Sequence, residues 1–164
     1  MRNKWALIAM LLMASSSVFA NAQRQAAPVN SSAAPVPMPI RQGTKAFISF
    51  ELGDVSSFPG VYSGGPERAY NEFFQGMLSW GHYKLVYDPK DADIVFAIRY
   101  VDGGPYLRMQ IESPQGVSLW GFAEQINLGI RKKTRDAAFS DAVAQIVDDV
   151  KKLVEQGAAP VPTQ

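Results

Sequence analysis

The chain has 164 residues, 47% hydrophobic and 19% charged, with 3 Trp, 6 Tyr, 9 Phe, one His and no Cys. That is one domain's worth of chain, and too apolar for a wholly disordered protein. Without Cys there can be no disulfide, thiolate metal site, Cys nucleophile or lipidated N-terminal Cys, and one His excludes a multi-His zinc site.

Arg2 and Lys4 open the sequence, an apolar run follows from Trp5 to Met13, and small residues Ala14, Ser15, Ser16 and Ser17 come next. A positive start, a short apolar core and a small-x-small end make residues 1–22 a secretory signal peptide, with cleavage expected near Ala20 or Ala22. The core is too short to span a bilayer, which takes about 20 apolar residues. A periplasmic or secreted mature chain with no transmembrane segment is the expectation. Removal of Arg2 and Lys4 leaves 14 basic against 15 acidic residues, a net charge of −1. Such a near-neutral chain lacks the basic footprint of a nucleic-acid binder.

Residues 23–44 carry four Pro, repeated Ala and Ser and no aromatic residue, the composition of an extended linker. Residues 157–164, with Pro160 and Pro162, read as a disordered tail. Residues 45–156 hold 16 of the aromatic residues and form the expected domain.

Within it, Ala46, Ile48 and Phe50 alternate along a first strand, and a Gly/Ser/Pro-rich loop runs from Gly53 to Gly65. Pro66 suits the first position of a helix, and Ala69, Phe73, Met77 and Trp80 form its apolar stripe until Gly81 stops it. A short alternating strand follows from Tyr83 to Tyr87, then a nearly continuous apolar one from Ile94 to Val101, as a two-sided central strand requires. Leu107, Met109 and Ile111 alternate with polar residues, and a hairpin at 113–116 leads into a strand over Val117 to Leu128. Phe139, Val143, Ile146, Val147, Val150, Leu153 and Val154 line one face of a final helix, with Asp148 and Lys152 expected to pair across one turn.

The order strand-helix-strand-strand-strand-strand-helix predicts a two-layer α+β domain: a mixed five-stranded sheet with two helices packed on one face. The other face, with Ser49, Glu51, Arg108, Gln110 and Glu112, is expected to stay open to solvent or a partner.

The segment from Gly81 to Phe96, with Tyr83, Leu85, Val86 and the Ala92-Asp93-Ile94 triplet, resembles a G-x-aromatic-x-apolar-V…A-D-apolar pattern of bacterial envelope domains. These are TolB N-terminal-domain-like and CsgG-like domains and small secreted bacterial proteins. The stretch from Ser113 to Trp120 is similar to the turn before their last strand and helix. The resemblance implies a periplasmic α+β module that binds another envelope protein, with no catalytic residue to carry over.

Candidate sites are few. His82 follows the helix-stopping Gly81 with no nucleophile or carboxylate fixed beside it, so it reads as a surface residue. Ser63, Gly64 and Gly65 before a helix could present backbone N–H groups to an anion, but lack the Lys of a phosphate loop. Arg131, Lys132, Lys133 and Arg135 make a basic run, a solvated patch or a weak contact to an anionic surface. Inside a first helical turn such charges are unfavourable, so either the helix starts near Thr134 to Asp136 or an anion offsets them. Phe58, Tyr62, Tyr100 and Tyr106, in or beside Gly/Pro loops, are either core anchors or a partner-recognition rim. The pairs Asp91/Asp93 and Asp148/Asp149 do not supply the ligands of a calcium loop. No cofactor or metal is implied.

The expectation is therefore an exported, non-enzymatic protein-binding or assembly module of the cell envelope. A small hydrolase using the Gly53–Gly65 loop and a carrier of a small apolar ligand are the alternatives.

Overall fold

The computed structural model describes residues 34–158 apart from 54, 55, 59, 102, 103 and 128. Residues 1–33, which hold the expected signal peptide and half of the expected linker, lie outside the described residues, as do Leu128 and residues 159–164 of the expected tail. The elements are α1 (Met38–Gln42), β1 (Lys45–Phe50), α2 (Arg68–Trp80), β2 (Lys84–Val86), a 3-10 turn (Pro89–Asp91), β3 (Ile94–Val101), β4 (Tyr106–Glu112), β5 (Ser118–Gln125) and α3 (Lys132–Ala158).

The five strands form one mixed sheet in the order β2-β1-β3-β4-β5. β1 is parallel to both β2 and β3, and the hairpins β3–β4 and β4–β5 are antiparallel. Burial on β3 explains its nearly continuous apolar run, broken by Arg99, since five of its eight residues are buried and it pairs on both sides.

Side chains directly opposite one another across a ladder share a face. The register therefore places Ala46, Ile48, Ile94, Phe96, Ile98, Leu107, Met109, Ile111, Trp120 and Phe122 on one side. On that side α2 contributes Ala69, Phe73 and Met77, and α3 contributes the whole predicted stripe from Phe139 to Val154. The fold is the expected two-layer α+β arrangement with these two helices on one face of a five-stranded sheet.

Several boundaries differ from expectation. The stretch read as linker to residue 44 includes α1, whose Ile40 is 0% exposed and belongs to the core. Pro39 is compatible with this because α1 begins at Met38, in a first turn that needs no N–H from Pro. The buried hydroxyl of Tyr83 donates to the Ile40 carbonyl at 3.1 Å, and Arg41 Nε donates to the Gly157 carbonyl. Gly157, assigned to the tail, is accordingly buried near the end of α3. α2 starts at Arg68, two residues after Pro66, and ends at Gly81 with φ 68°, as predicted. β5 is shorter than the expected Val117 to Leu128 and carries a register shift opposite Ile111 and Glu112.

Candidate functional site

The loop before α2 and the first turns of α3 meet around Arg68. Its five N–H groups have five acceptors: Nε donates to Glu72 Oε1 (2.6 Å), Nη1 to the Ser63 carbonyl (3.2 Å) and Asp136 Oδ1 (2.9 Å), and Nη2 to the Asp136 carbonyl (2.7 Å) and Ser140 Oγ (3.0 Å). The guanidinium carbon lies 4.5 Å from the centroid of Phe139. A planar fork can do this where a lysine ammonium could not.

Asp136 takes the anion's place in the loop. It accepts from the Ser63 backbone N–H and from Ser63 Oγ, both at 2.8 Å. The Ser63 N–H first, then its hydroxyl, Arg68 and Lys132, hold the Asp136 carboxyl down to about 2. The Ser63, Gly64 and Gly65 segment thus serves an internal carboxylate, which corrects the reading of Ser63 as a receptor for an external anion. Gly64 and Gly65 have φ of 94° and 78°, a conformation that turns the chain into α2 and is open to Gly without strain.

The same arrangement explains the basic run. α3 begins at Lys132, earlier than Thr134, and the charge is offset from within: Lys132 Nζ lies 2.7 Å from Ser63 Oγ and 3.7 Å from Asp136 Oδ2. Arg135 donates to three carbonyls, Val61 (3.1 Å), Gly129 (3.3 Å) and Ile130 (2.8 Å). It is thus a loop clamp, not a partner-binding cation. Arg131 and Lys133 are exposed, and among the described residues neither side chain has a hydrogen bond or ion pair.

Three of the four loop aromatics are not a recognition rim. Tyr62 is 0% exposed, Tyr100 is buried and Phe58 is half-buried, all packed on Phe139 with ring centroids 5.1–6.1 Å apart. Their area is large and the core at that end has room for it, so burial outweighs display. Tyr106 is the exception. It lies on the opposite sheet face, across from Val101 and Gln125, with the Arg108 guanidinium 5.7 Å from its ring.

His82 stacks on Trp80 at 4.7 Å and meets Tyr83 edge-on at 4.6 Å. Burial pushes the Tyr83 hydroxyl up to about 12. Asp93 caps the start of β1, accepting from the Thr44 and Lys45 N–H groups at 2.8 and 2.9 Å, which lowers its pKa. Asp148 pairs with Lys151 and Asp149 with Lys152, each three residues apart, in place of the expected Asp148–Lys152 pair. Burial first, and then nearby Asp149, raises the pKa of Glu124 on β5.

Outside the core lies a groove of about 360 Å³ between α2 and α3, lined by Glu72, Ser79, Trp80, Ser140, Ala144 and Lys151 among others. It is open to solvent and sits where Gly76 lets the helices approach. Between sheet and helices the space is occupied by Phe73, Met77, Phe96, Met109, Phe139 and Ile146. No group of three or more potential metal-binding side chains occurs among the described residues, and no described helix is long and apolar enough to cross a membrane.

The second face of the sheet carries neither α2 nor α3. The register puts Phe47, Val86, Val95, Ala97, Val101 and Tyr106 there, interspersed with Ser49, Arg99, Arg108, Gln110 and Glu112. Arg99 reaches Glu51 at 3.7 Å. Ser49, Glu51, Arg108, Gln110 and Glu112 were the residues assigned to this face from alternation alone. The two edges that bound it are unequal. β2 is three residues long, carries Lys84 and turns away at Asp88 and Pro89, the features that discourage strand addition. β5 is eight residues long, has neither Pro nor Lys, and pairs on one side only among the described residues. Sequence alternation marked β5 as a strand, but not that it ends the sheet.

No protein-family model and no curated protein matches the chain. Solved structures of PelC from Paraburkholderia phytofirmans are similar to it. A single-residue variant of the PelC dodecamer is 13% identical, over 66% of this chain and 89% of that one, with a TM-score of 0.47. A second PelC dodecamer is 11% identical, over 71% of this chain and 91% of that one, with a TM-score of 0.41. Likeness at this level bears on neither activity nor partners.

Proposed function

We propose that this chain is exported and acts without catalysis, as a protein-binding or assembly module of the bacterial cell envelope. The observation that carries the reading is the helix-free sheet face ending in the eight-residue edge strand β5, whose guards are a register shift opposite Ile111 and Glu112 and the core-side Glu124. An exposed strand of this length presents a row of backbone N–H and C=O groups that an extended segment of another protein can pair with. The adjoining face supplies alternate side-chain contacts, small at Gly121 and Ala123 and aromatic at Tyr106. The occupant is an envelope protein that contributes an extended strand antiparallel or parallel to β5.

Export rests on the signal-peptide pattern of residues 1–22. The resemblance to TolB N-terminal-domain-like and CsgG-like domains supports the envelope setting. Against the hydrolase reading, Ser63 Oγ donates a hydrogen bond to Asp136, whose carboxyl is held down to about 2 and is a weak base, and accepts from the Lys132 ammonium. Against the carrier reading, the space a small apolar ligand would need is filled by the side chains of the core.

Placing a photo-crosslinking residue at Ala123 or Gln110, and separately at Gln145 on the outer face of α3, tests the proposal in the native envelope. Ala123 and Gln110 should give one discrete adduct that a Gly121→Lys substitution abolishes while thermal unfolding is unchanged. Adducts from Gln145 alone, or adducts indifferent to Gly121→Lys, would refute the sheet as the docking surface.

A further inference from the structure

Ile130 is 98% exposed, the most exposed large hydrophobic residue described. Arg135 holds the carbonyls of Gly129 and Ile130, and the Arg131 carbonyl accepts from the N–H groups of Thr134 and Arg135, both at 3.0 Å. The backbone of 129–131 is therefore fixed by hydrogen bonds, and the Ile130 side chain projects from it into solvent. Leaving a whole Ile side chain in water forgoes the burial that folding offers elsewhere.

Its neighbours in sequence are cations. Arg131 and Lys133 have no ionic partner among the described residues, while Lys132 is engaged by Ser63 and Asp136. β1, β3 and β5 run in the same direction, so their C-terminal ends share one pole of the sheet. That pole carries the Ile130 loop after β5 and Leu52, 70% exposed, two residues after β1. An apolar tip flanked by unpaired basic side chains matches the layering of a bilayer interface, with acyl chains beneath anionic headgroups.

We propose that this pole docks on an anionic lipid surface, with Ile130 entering the interface and Arg131 and Lys133 contacting the headgroups. An acidic protein surface would meet the cations equally well. It would also need a matching pocket for Ile130 and a contact of roughly 1,200 Å² or more, whereas a fluid interface takes up an isolated apolar tip with no matching pocket. The proposal is independent of the strand-pairing surface, which lies on another side of the molecule.

The test uses the mature chain, residues 23–164, with phosphatidylcholine vesicles that do or do not contain phosphatidylglycerol, read by co-sedimentation. Binding should require phosphatidylglycerol and fall with added salt. Arg131→Gln and Lys133→Gln should each weaken it by about fivefold, and Ile130→Ser on the order of tenfold. Ile130→Trp should keep binding and shift its emission to the blue when phosphatidylglycerol vesicles are added. Unchanged thermal unfolding of all four variants shows that the fold is intact. No binding, equal binding to both vesicle types, or a loss on charge removal with Ile130→Ser at full strength would overturn the proposal. The last result would assign the cations to an acidic macromolecule.

Discussion

At Asp136, one carboxylate organises two secondary-structure starts. It fixes the loop before α2 through Ser63, stays paired with Arg68, and offsets Lys132 in the first turn of α3. Asp136→Asn keeps the shape but removes the charge, and leaves the Arg68 side chain, 11% exposed, with Glu72 as its one remaining anionic partner among the described residues. The expected loss is about 2 kcal/mol, from charge-assisted hydrogen bonds to a shielded group, read as a lower midpoint in urea unfolding. The pH dependence follows from the same contact. Folded Asp136 titrates at about 2, below an unfolded Asp at about 3.9. Its contribution is therefore fully present above pH 4 and is lost as pH falls from about 4 to 2. A variant lacking the carboxyl should show a shallower loss of stability across that window than the parent chain, and an equally steep loss would contradict the assignment. None of this was legible in advance. Ser63 and Arg135 were singled out, but Asp136 is 73 residues from Ser63, and a charge pattern read locally gives no means of joining them.

On the scale of elements, α3 and β3 were readable because each carries a long, nearly unbroken pattern, one of period 3.6 residues and the other an apolar run bounded by turns. α1 was not. Five residues with two prolines beside them have no period, and the Pro/Ala composition that suggests a linker hides the single Ile that anchors the segment. The packing of α2 on α3 was also hidden. Gly76 lies mid-helix, where Gly costs about 1 kcal/mol in helix propensity relative to Ala, and nothing in the sequence explains why. The structure does: a Cβ at position 76 would stand 2.8 Å from Val147 Cγ2. Val147 is β-branched and buried, so it cannot swing aside. Gly76→Ala should therefore lower stability by about 1 kcal/mol despite the better propensity, since overpacking a fixed contact costs more than the helix gains. Combined with Val147→Ala, the two changes should be less harmful than their sum in a double-mutant cycle. Simple additivity would mean the helices do not touch there.

Taken whole, the molecule is closed at one end by contacts between its first and last helices. Ile40 fills the core from α1, Tyr83 holds the carbonyl of Ile40, and Arg41 reaches Gly157. Ile40→Ala should cost about 2–4 kcal/mol, the range for removing a buried aliphatic side chain. Hydrogen exchange should show the loss spreading to the last turn of α3. A loss confined to residues 38–42 would mean that α1 is an appendage and not part of the cooperative unit. The general architecture, the solvent-facing side of the sheet and the helix-ending Gly81 follow from local pattern. The fates of Tyr62, Tyr100 and Phe58 do not, because alternation says nothing of how far a loop folds back over a core.

Because Arg41 and Gly157 touch, the two extremities of the folded unit adjoin. A few flexible residues could bridge them, and new ends could be opened at the exposed Ser113–Gly116 turn with every strand pairing and both long helices preserved. Such a circular permutant should remain native in structure, and a native far-UV spectrum with an unchanged unfolding midpoint would show that this topology does not depend on the order in which its segments leave the ribosome.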